Sequence, residues 1–96
     1  MLKKLVQTEG VSYSPRLNKR AYYDVPLIDS ISRVYISSKP FVRIQLWDGS
    51  KKIQEVHTTG ENYFDFNYHR RYEGEFFIRI QNLASRWQVV DITIIY

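Results

Sequence analysis

Three stretches of this chain alternate between apolar and polar positions, and this pattern constrains the fold more than any other feature of the sequence. They cover residues 41–47, 75–81 and 88–96. A period of two places successive side chains on opposite faces of a β-strand, so each stretch is predicted to be a strand with one buried face. The predicted core residues are Val42, Ile44, Leu46, Phe76, Ile78, Ile80, Val90, Ile92 and Ile94.

The composition also favours strands over helices. The chain has eight Val and ten Ile but only two Ala, and β-branched residues prefer strands. Weaker strand candidates are residues 21–25, 30–36, 53–58 and 63–67, with a further one at 5–8. Predicted turns or breaks between strands are Ser38-Lys39-Pro40, Asp48-Gly49-Ser50 and Thr59-Gly60-Glu61-Asn62.

Short strands separated by turn residues about every 8–12 positions are typical of sandwiches and small barrels. A single flat sheet would leave one apolar face of each alternating strand uncovered, so two stacked sheets are preferred. We therefore predict an all-β fold, a two-sheet antiparallel β-sandwich of jelly-roll type with seven to eight strands, and a small barrel as the second choice. At 96 residues the chain has room for one such domain.

The positive charge is concentrated at the N-terminus. The net charge is +4, and residues 21–96 carry equal numbers of basic and acidic groups, so the whole excess lies in residues 1–20. We predict a basic N-terminal arm at 1–20, able to contribute an edge strand, and a β-sandwich domain at 21–96. The arm's basic residues are Lys3, Lys4, Arg16, Lys19 and Arg20. Such an arm suits an acidic partner, or is simply a solvated tail.

Several classes of protein are disfavoured. The chain has no cysteine, which excludes a disulfide framework and a thiolate metal site. No apolar run is long enough to cross a bilayer, and no apolar segment follows the basic start as in a signal peptide. We expect no membrane span, and synthesis in the cytoplasm without classical secretion.

Residues that could carry catalysis are sparse. His57 has Glu61 four residues on but lacks a His-x-His metal pair, since positions 55 and 59 are Glu and Thr. No nearby Ser or Asp completes a triad with His69, and no glycine-rich phosphate loop occurs. Carboxylates at strand ends or outward positions serve solubility in most proteins, and that is the expectation for Asp48, Glu61, Asp65 and Glu73. We predict no enzymatic activity, no metal site and no cofactor.

The outward positions of the first two alternating stretches are rich in arginine, glutamine and aromatic residues. This composition is typical of interfaces, because large rigid rings and forked guanidinium donors bind partners well. The alternative is a sheet face covered by the arm or by a loop. The predicted binding residues are Arg43, Gln45, Trp47, Phe77, Arg79, Gln81 and Trp87, which Tyr35 and Tyr63 could join.

The segment from Gly74 to Asn82, followed by a polar turn and a β-branched last strand, resembles the closing strands of GOLD-type and other jelly-roll modules. In those modules a Gly-x-aromatic-x-aliphatic-x-aliphatic-x-Asn stretch leads into the final strand. The match covers about a quarter of the chain, which lacks the cysteine that GOLD domains often carry there. The resemblance implies a non-catalytic interaction module.

We therefore predict a structural or binding module whose partner is a protein, either a second copy or a larger assembly such as a virion or cell-surface structure. A carbohydrate-binding module using Trp47 and Trp87 is the alternative. A third reading is single-stranded nucleic-acid binding through the basic arm and the aromatic face.

Overall fold

The computed structural model describes residues 10–96, apart from the side chain of Pro40, and these residues form eight β-strands. The prediction of an all-β fold is confirmed. No helix in this part of the chain is long and apolar enough to cross a membrane. The strands are β1 (Gly10–Tyr13), β2 (Arg16–Leu17), β3 (Tyr22–Pro26), β4 (Ser30–Asp48), β5 (Lys51–His69), β6 (Phe76–Asn82), β7 (Gln88–Val89) and β8 (Asp91–Ile95).

Two long strands, β4 and β5, form an antiparallel hairpin that organises the molecule. The first half of β4 pairs with β8 along Arg33–Ser37, and its second half pairs with β6 along Val42–Asp48. The outer strands β1 and β3 then pair with β8 and β6 respectively. The result is a curled six-stranded antiparallel sheet, accompanied by a small sheet of β2 and β7.

The predicted breaks at Ser38-Lys39-Pro40 and Thr59-Gly60-Glu61-Asn62 are wrong, because both segments lie inside continuous strands. Ser38 lies opposite Gly60, and the register shifts between Ser38 and Val42. Gly60 has a φ of 82°, a left-handed conformation that glycine adopts readily. These residues therefore form an irregularity at which both strands bend but continue to pair.

The predicted turn at Asp48-Gly49-Ser50 is confirmed, since Asp48 and Lys51 are paired across a two-residue loop. Gly49 has a φ of 62°, as the first central residue of a type II′ hairpin requires. Its N–H donates to the carbonyl of Glu75 at 2.7 Å. A Cβ at this position would lie 2.6 Å from the carbonyl oxygen of Glu73, so only glycine fits without a shift of the backbone.

All nine predicted core residues are buried, with exposed fractions of at most 3%. Val34 and Ile36, from the first half of β4, belong to the same buried cluster as the predicted residues on its second half. The inward sides of both halves of the curled sheet thus contribute to one apolar core. Burial of aliphatic side chains is the main stabilising contribution in a domain of this size.

The described part of the predicted arm is built into the folded body. β1 is an edge strand paired with β8, and β2 pairs with β7. Leu17 is buried in the core cluster. Lys3, Lys4 and the strand predicted at 5–8 lie outside the described residues.

The last predicted strand, 88–96, is divided between two sheets. Its first two residues form β7 beside β2, and the rest form β8 between β1 and β4. Val90, at the change of sheet, is fully buried and donates its N–H to the carbonyl of Pro15. The alternation therefore continues through a point where the pairing partner changes.

Candidate functional site

The structure brings six of the predicted binding residues together in cross-strand pairs. Arg43 lies opposite Gln81, Gln45 opposite Arg79, and Trp47 opposite Phe77. All six are partly exposed and lie on the side of the sheet away from the core. We call this surface the β4–β6 outer face, defined by Arg43, Gln45, Trp47, Phe77, Arg79 and Gln81.

Two aromatic rings form one end of the β4–β6 outer face. Trp47 and Phe77 are stacked, with centroids 6.3 Å apart and ring planes inclined by 9°. The indole N–H of Trp47 donates to Oε1 of Gln45 at 3.0 Å. The indole is therefore held on two sides, and its orientation is set before any partner binds.

Arg79 links the face to the edge strand β3. Its Nε and Nη2 atoms donate to the two carboxylate oxygens of Asp24 at 2.8 and 2.9 Å, a bidentate pair that raises the pKa of Arg79. The guanidinium also lies over the ring of Tyr22, 4.1 Å from its centroid, and 5.4 Å from that of Phe77. Planar contacts of this kind require arginine and would be lost with lysine.

On the β5 side of the β4–β6 outer face, the carboxylate of Glu55 contacts three side chains. Its carboxylate accepts from Lys52 Nζ at 2.9 Å and from Gln45 Nε2 at 2.8 Å, and lies 2.9 Å from Nε2 of His57. These contacts, with that of Lys52 the strongest, lower the pKa of Glu55 to about 2. The carboxylate is thus ionised at any ordinary pH and holds three neighbouring side chains in place.

This depressed pKa predicts a dependence of stability on pH. A carboxylate with a lower pKa in the folded state stabilises the fold above its unfolded pKa, and the effect is lost as the pH falls through the folded pKa. We expect the free energy of unfolding to decrease from about pH 4.5 towards about pH 2. Glu55→Gln should show a smaller decrease over that range, measured by urea unfolding at several pH values. Identical profiles for the two proteins would contradict this.

Arg43 carries an unsatisfied donor. One of its terminal nitrogens donates to Oε1 of Gln81, whose own Nε2 donates to the carbonyl of Arg20 at 2.8 Å. Within residues 10–96, the Nε atom of Arg43 is buried and has no hydrogen-bond partner. Buried polar groups are normally paired, so the folded chain leaves part of this side chain's hydrogen-bonding capacity unused.

Trp87 does not belong to the β4–β6 outer face. It precedes β7 and is half exposed, with the guanidinium carbon of Arg16 lying 4.3 Å from its ring centroid. Tyr35 and Tyr63 also lie elsewhere, paired with each other on the part of the hairpin where β4 adjoins β8. Trp47 and Trp87 sit in separate clusters, so a sugar-binding platform built from both has no support in this arrangement.

Two buried polar residues were missed by the sequence analysis. The inward series on β4 ends with Asp48 and that on β6 ends with Asn82, and both are fully buried. The expectation that Asp48 serves solubility is therefore wrong. Extending the period of two by one further residue on each strand would have placed both side chains inward.

Each of these residues anchors the loops at its own end of the sheet. Asp48 accepts from the hydroxyl of Tyr68 at 2.6 Å and from the N–H of Arg71 at 2.8 Å. Burial alone would raise the pKa of Asp48, but these hydrogen bonds outweigh it and the pKa is lowered. The pKa of Tyr68 is raised to about 12 by burial and by this carboxylate.

Asn82 uses its whole side-chain amide. Its Nδ2 donates to the carbonyls of Leu17, Asn18 and Arg86, with one of its two hydrogens shared between two of these acceptors, and its Oδ1 accepts from the N–H of Ala84 and from Nε2 of Gln88. The five distances lie between 2.9 and 3.1 Å. One residue thus fixes both the segment before β3 and the loop that leads to Trp87.

Among residues 10–96, no three His, Asp or Glu side chains come together as a group that could hold a metal ion. His57 is an exposed strand residue beside Glu55, and His69 is exposed at the end of β5.

Comparison with known proteins concerns the fold alone. No protein-family model and no curated protein matches this chain. A solved structure described as the "Solution NMR structure of a de novo designed double-stranded beta-helix" is similar, with a TM-score of 0.54 and 17% identity. The match covers 88% of this chain and 95% of that one, so the curled sheet as a whole has a counterpart in the designed protein.

Proposed function

We propose that this chain is a non-catalytic interaction module that associates with protein through the β4–β6 outer face, and that a second copy of the chain is the first partner to test. The observation that carries the proposal is the ordered, mutually stacked set of aromatic and arginine side chains on this face. Rigid aromatic and arginine anchors are the residues that most often dominate binding energy at interfaces.

The side chains of the face are preorganised. Trp47 is held by Phe77 and Gln45, and Arg79 is held by Asp24 and Tyr22. Binding then costs little side-chain entropy, because few rotamers remain to be lost. The buried Nε of Arg43 is a donor that a partner's acceptor, reached by a small movement of the side chain, would satisfy.

The face is favoured over the edges of the sheet as the contact surface. Within the described residues, β5 pairs with β4 alone, so one edge of this 19-residue strand is free. However, Gly60 and Asn67 have positive φ values of 82° and 47°, which interrupt the regular backbone that strand addition needs. Irregular edges that carry charges, such as Lys51 and Lys52, are how proteins avoid edge-to-edge pairing.

We also propose that the curled sheet acts as a two-sheet, jelly-roll-like β-sandwich. The half of the sheet around β8 and the half around β6 both direct apolar side chains into one core. The likeness to a designed double-stranded β-helix supports this description. The resemblance of Gly74–Asn82 to GOLD-type closing strands remains a prediction.

The test is the effect of Trp47→Ala on self-association, measured by sedimentation equilibrium over a wide range of protein concentration. We expect the variant to lose at least about 2 kcal/mol of association free energy, which raises the dissociation constant about 30-fold. The melting temperature of the separated subunit should change little, since Trp47 packs on the outside of the sheet.

Tyr63→Ala is the control, because Tyr63 is also a strand aromatic that contacts a neighbouring ring: its centroid lies 4.8 Å from that of Tyr35, with the ring planes inclined by 50°. It lies outside the β4–β6 outer face and should leave association unchanged. A wild-type chain that stays monomeric at the highest concentration, or equal effects of the two variants, would overturn self-association through this face.

A further inference from the structure

A second surface, made of residues outside the β4–β6 outer face, surrounds Trp87. A groove of about 560 Å³ is lined by Lys39, Arg86, Trp87, Gln88 and Val89, and we call it the Trp87 groove. Trp87 and Val89 are both about half exposed, at 51% and 47%. Arg16, on β2, lies opposite Val89 of β7 and places its guanidinium over the indole of Trp87.

The loop that carries Trp87 is held rigidly on both sides. The carbonyl of Arg86 accepts from Nδ2 of Asn82 at 2.9 Å, and the buried side chain of Gln88 donates to Oδ1 of Asn82 at 2.9 Å. Oε1 of Gln88 also accepts from the N–H of Lys39 at 3.3 Å. A half-exposed tryptophan between two anchored residues is a fixed platform, so little ordering is needed when a ring stacks on it.

The charge of the groove is positive and is not neutralised within the described chain. Among residues 10–96, no carboxylate forms an ion pair with Arg16, Lys39 or Arg86. By contrast, Arg33 is paired with Asp65 and Arg79 with Asp24 on the sheet faces. The lining contains two cations and no acid.

The two acids that lie opposite Ser37 on the strands adjoining β4, Glu61 and Asp91, are engaged elsewhere. Asp91, two residues beyond Val89, accepts from the hydroxyl of Ser14 at 2.7 Å. Glu61 accepts from the hydroxyl of Tyr35 at 3.0 Å. Neither lines the groove, so a negatively charged ligand would meet three unpaired cations there.

From this arrangement we infer that the Trp87 groove binds single-stranded nucleic acid, with a base stacked on Trp87 and backbone phosphates held by Arg86, Lys39 and Arg16. Single-strand binding sites combine an aromatic platform with a positively charged groove, because every base has a π-face and every nucleotide carries a phosphate. A sulfated glycan would use the cations but would pack only C–H groups of its sugar rings on the indole, whereas a base offers a whole π-face. The combination of rigid indole and unpaired cations therefore favours nucleic acid.

The test is fluorescence anisotropy with a labelled oligothymidylate of about 10 nucleotides, a length within the usual single-strand site size. We expect Trp87→Ala to weaken binding at least about fivefold. The double charge reversal Lys39→Glu/Arg86→Glu should also weaken binding. It should make the slope of log affinity against log salt shallower by about 1.4, because each phosphate contact on a single strand contributes about 0.7.

Lys51→Glu is the control, since it reverses another exposed charge, at the tip of the β4–β5 hairpin and outside the groove. Lys51→Glu should change the affinity for the oligonucleotide less than about twofold. The melting temperature of each variant is measured to check that the variant is folded. Three results would overturn the inference. They are no binding of the oligonucleotide at low salt, equal losses in Trp87→Ala and Lys51→Glu, or binding of a heparin oligosaccharide in preference to the oligonucleotide.

Discussion

Replacing Asp48 by alanine is expected to lower the free energy of unfolding by about 3–5 kcal/mol, one of the two largest single-residue effects in this protein. The carboxylate is fully buried and accepts from Tyr68 and from the N–H groups of Arg71 and Tyr72. Alanine would leave these part-buried donors without the acceptor that they share, and each unsatisfied group costs about 1–3 kcal/mol. The total free energy of unfolding of a domain of this size is about 5–15 kcal/mol.

Urea unfolding of Asp48→Ala measures this effect, with Asp65→Ala as the control. Asp65 also accepts a hydrogen bond, from Arg33 at 2.6 Å, but both side chains are about half exposed. An exposed ion pair contributes at most about 1 kcal/mol, so Asp65→Ala should be mild. Comparable losses in the two variants would mean that Asp48 is not a buried anchor. Asp48→Asn, which keeps one acceptor oxygen, should fall between wild type and alanine.

Ile78→Ala is the second large effect, with an expected loss of about 2–5 kcal/mol. Ile78 is fully buried at the middle of β6, between Val25 on β3 and Leu46 on β4. Removing three carbons there creates a cavity that neighbouring strands cannot close without breaking their pairing. Thermal and urea unfolding both measure the loss.

Its neighbour Arg79 provides the control for register. Arg79→Ala removes the pair with Asp24 and the stacking on Tyr22, on a partly exposed surface, and should cost about 1 kcal/mol or less. Since a slip of one residue exchanges the two faces of a strand, equal destabilisation by the two substitutions would show that the register of β6 differs from the one described.

The core could be predicted from the sequence because it depends on a local property. Alternation in 41–47 and 75–81 sets which side chains share a face, whatever the neighbouring strands are. The same alternation placed Arg43 and Arg79 outward, and pairing of β4 with β6 then brought those outward residues together. A local pattern thus identified both the core and the candidate site.

The long hairpin could not be predicted in the same way. Pro40 and Gly60 are residues that end strands in many proteins, and here they lie within β4 and β5. Whether such a residue ends a strand or only bends it depends on whether the partner strand continues beside it. Ser38 opposite Gly60 shows that both strands continue through the irregularity together.

The sequence by itself determined the class of structure, the inward and outward faces of the three alternating stretches and the hairpin turn at Gly49, since all three follow from steric preferences within a few residues. Only the tertiary structure decided that Asp48 and Asn82 are buried loop anchors, because an acid or amide enters the interior only where distant donors and acceptors converge on it. It also decided that Trp87 lies with Arg16 and apart from Trp47, since contacts between residues 71 positions apart depend on how the sheet curls.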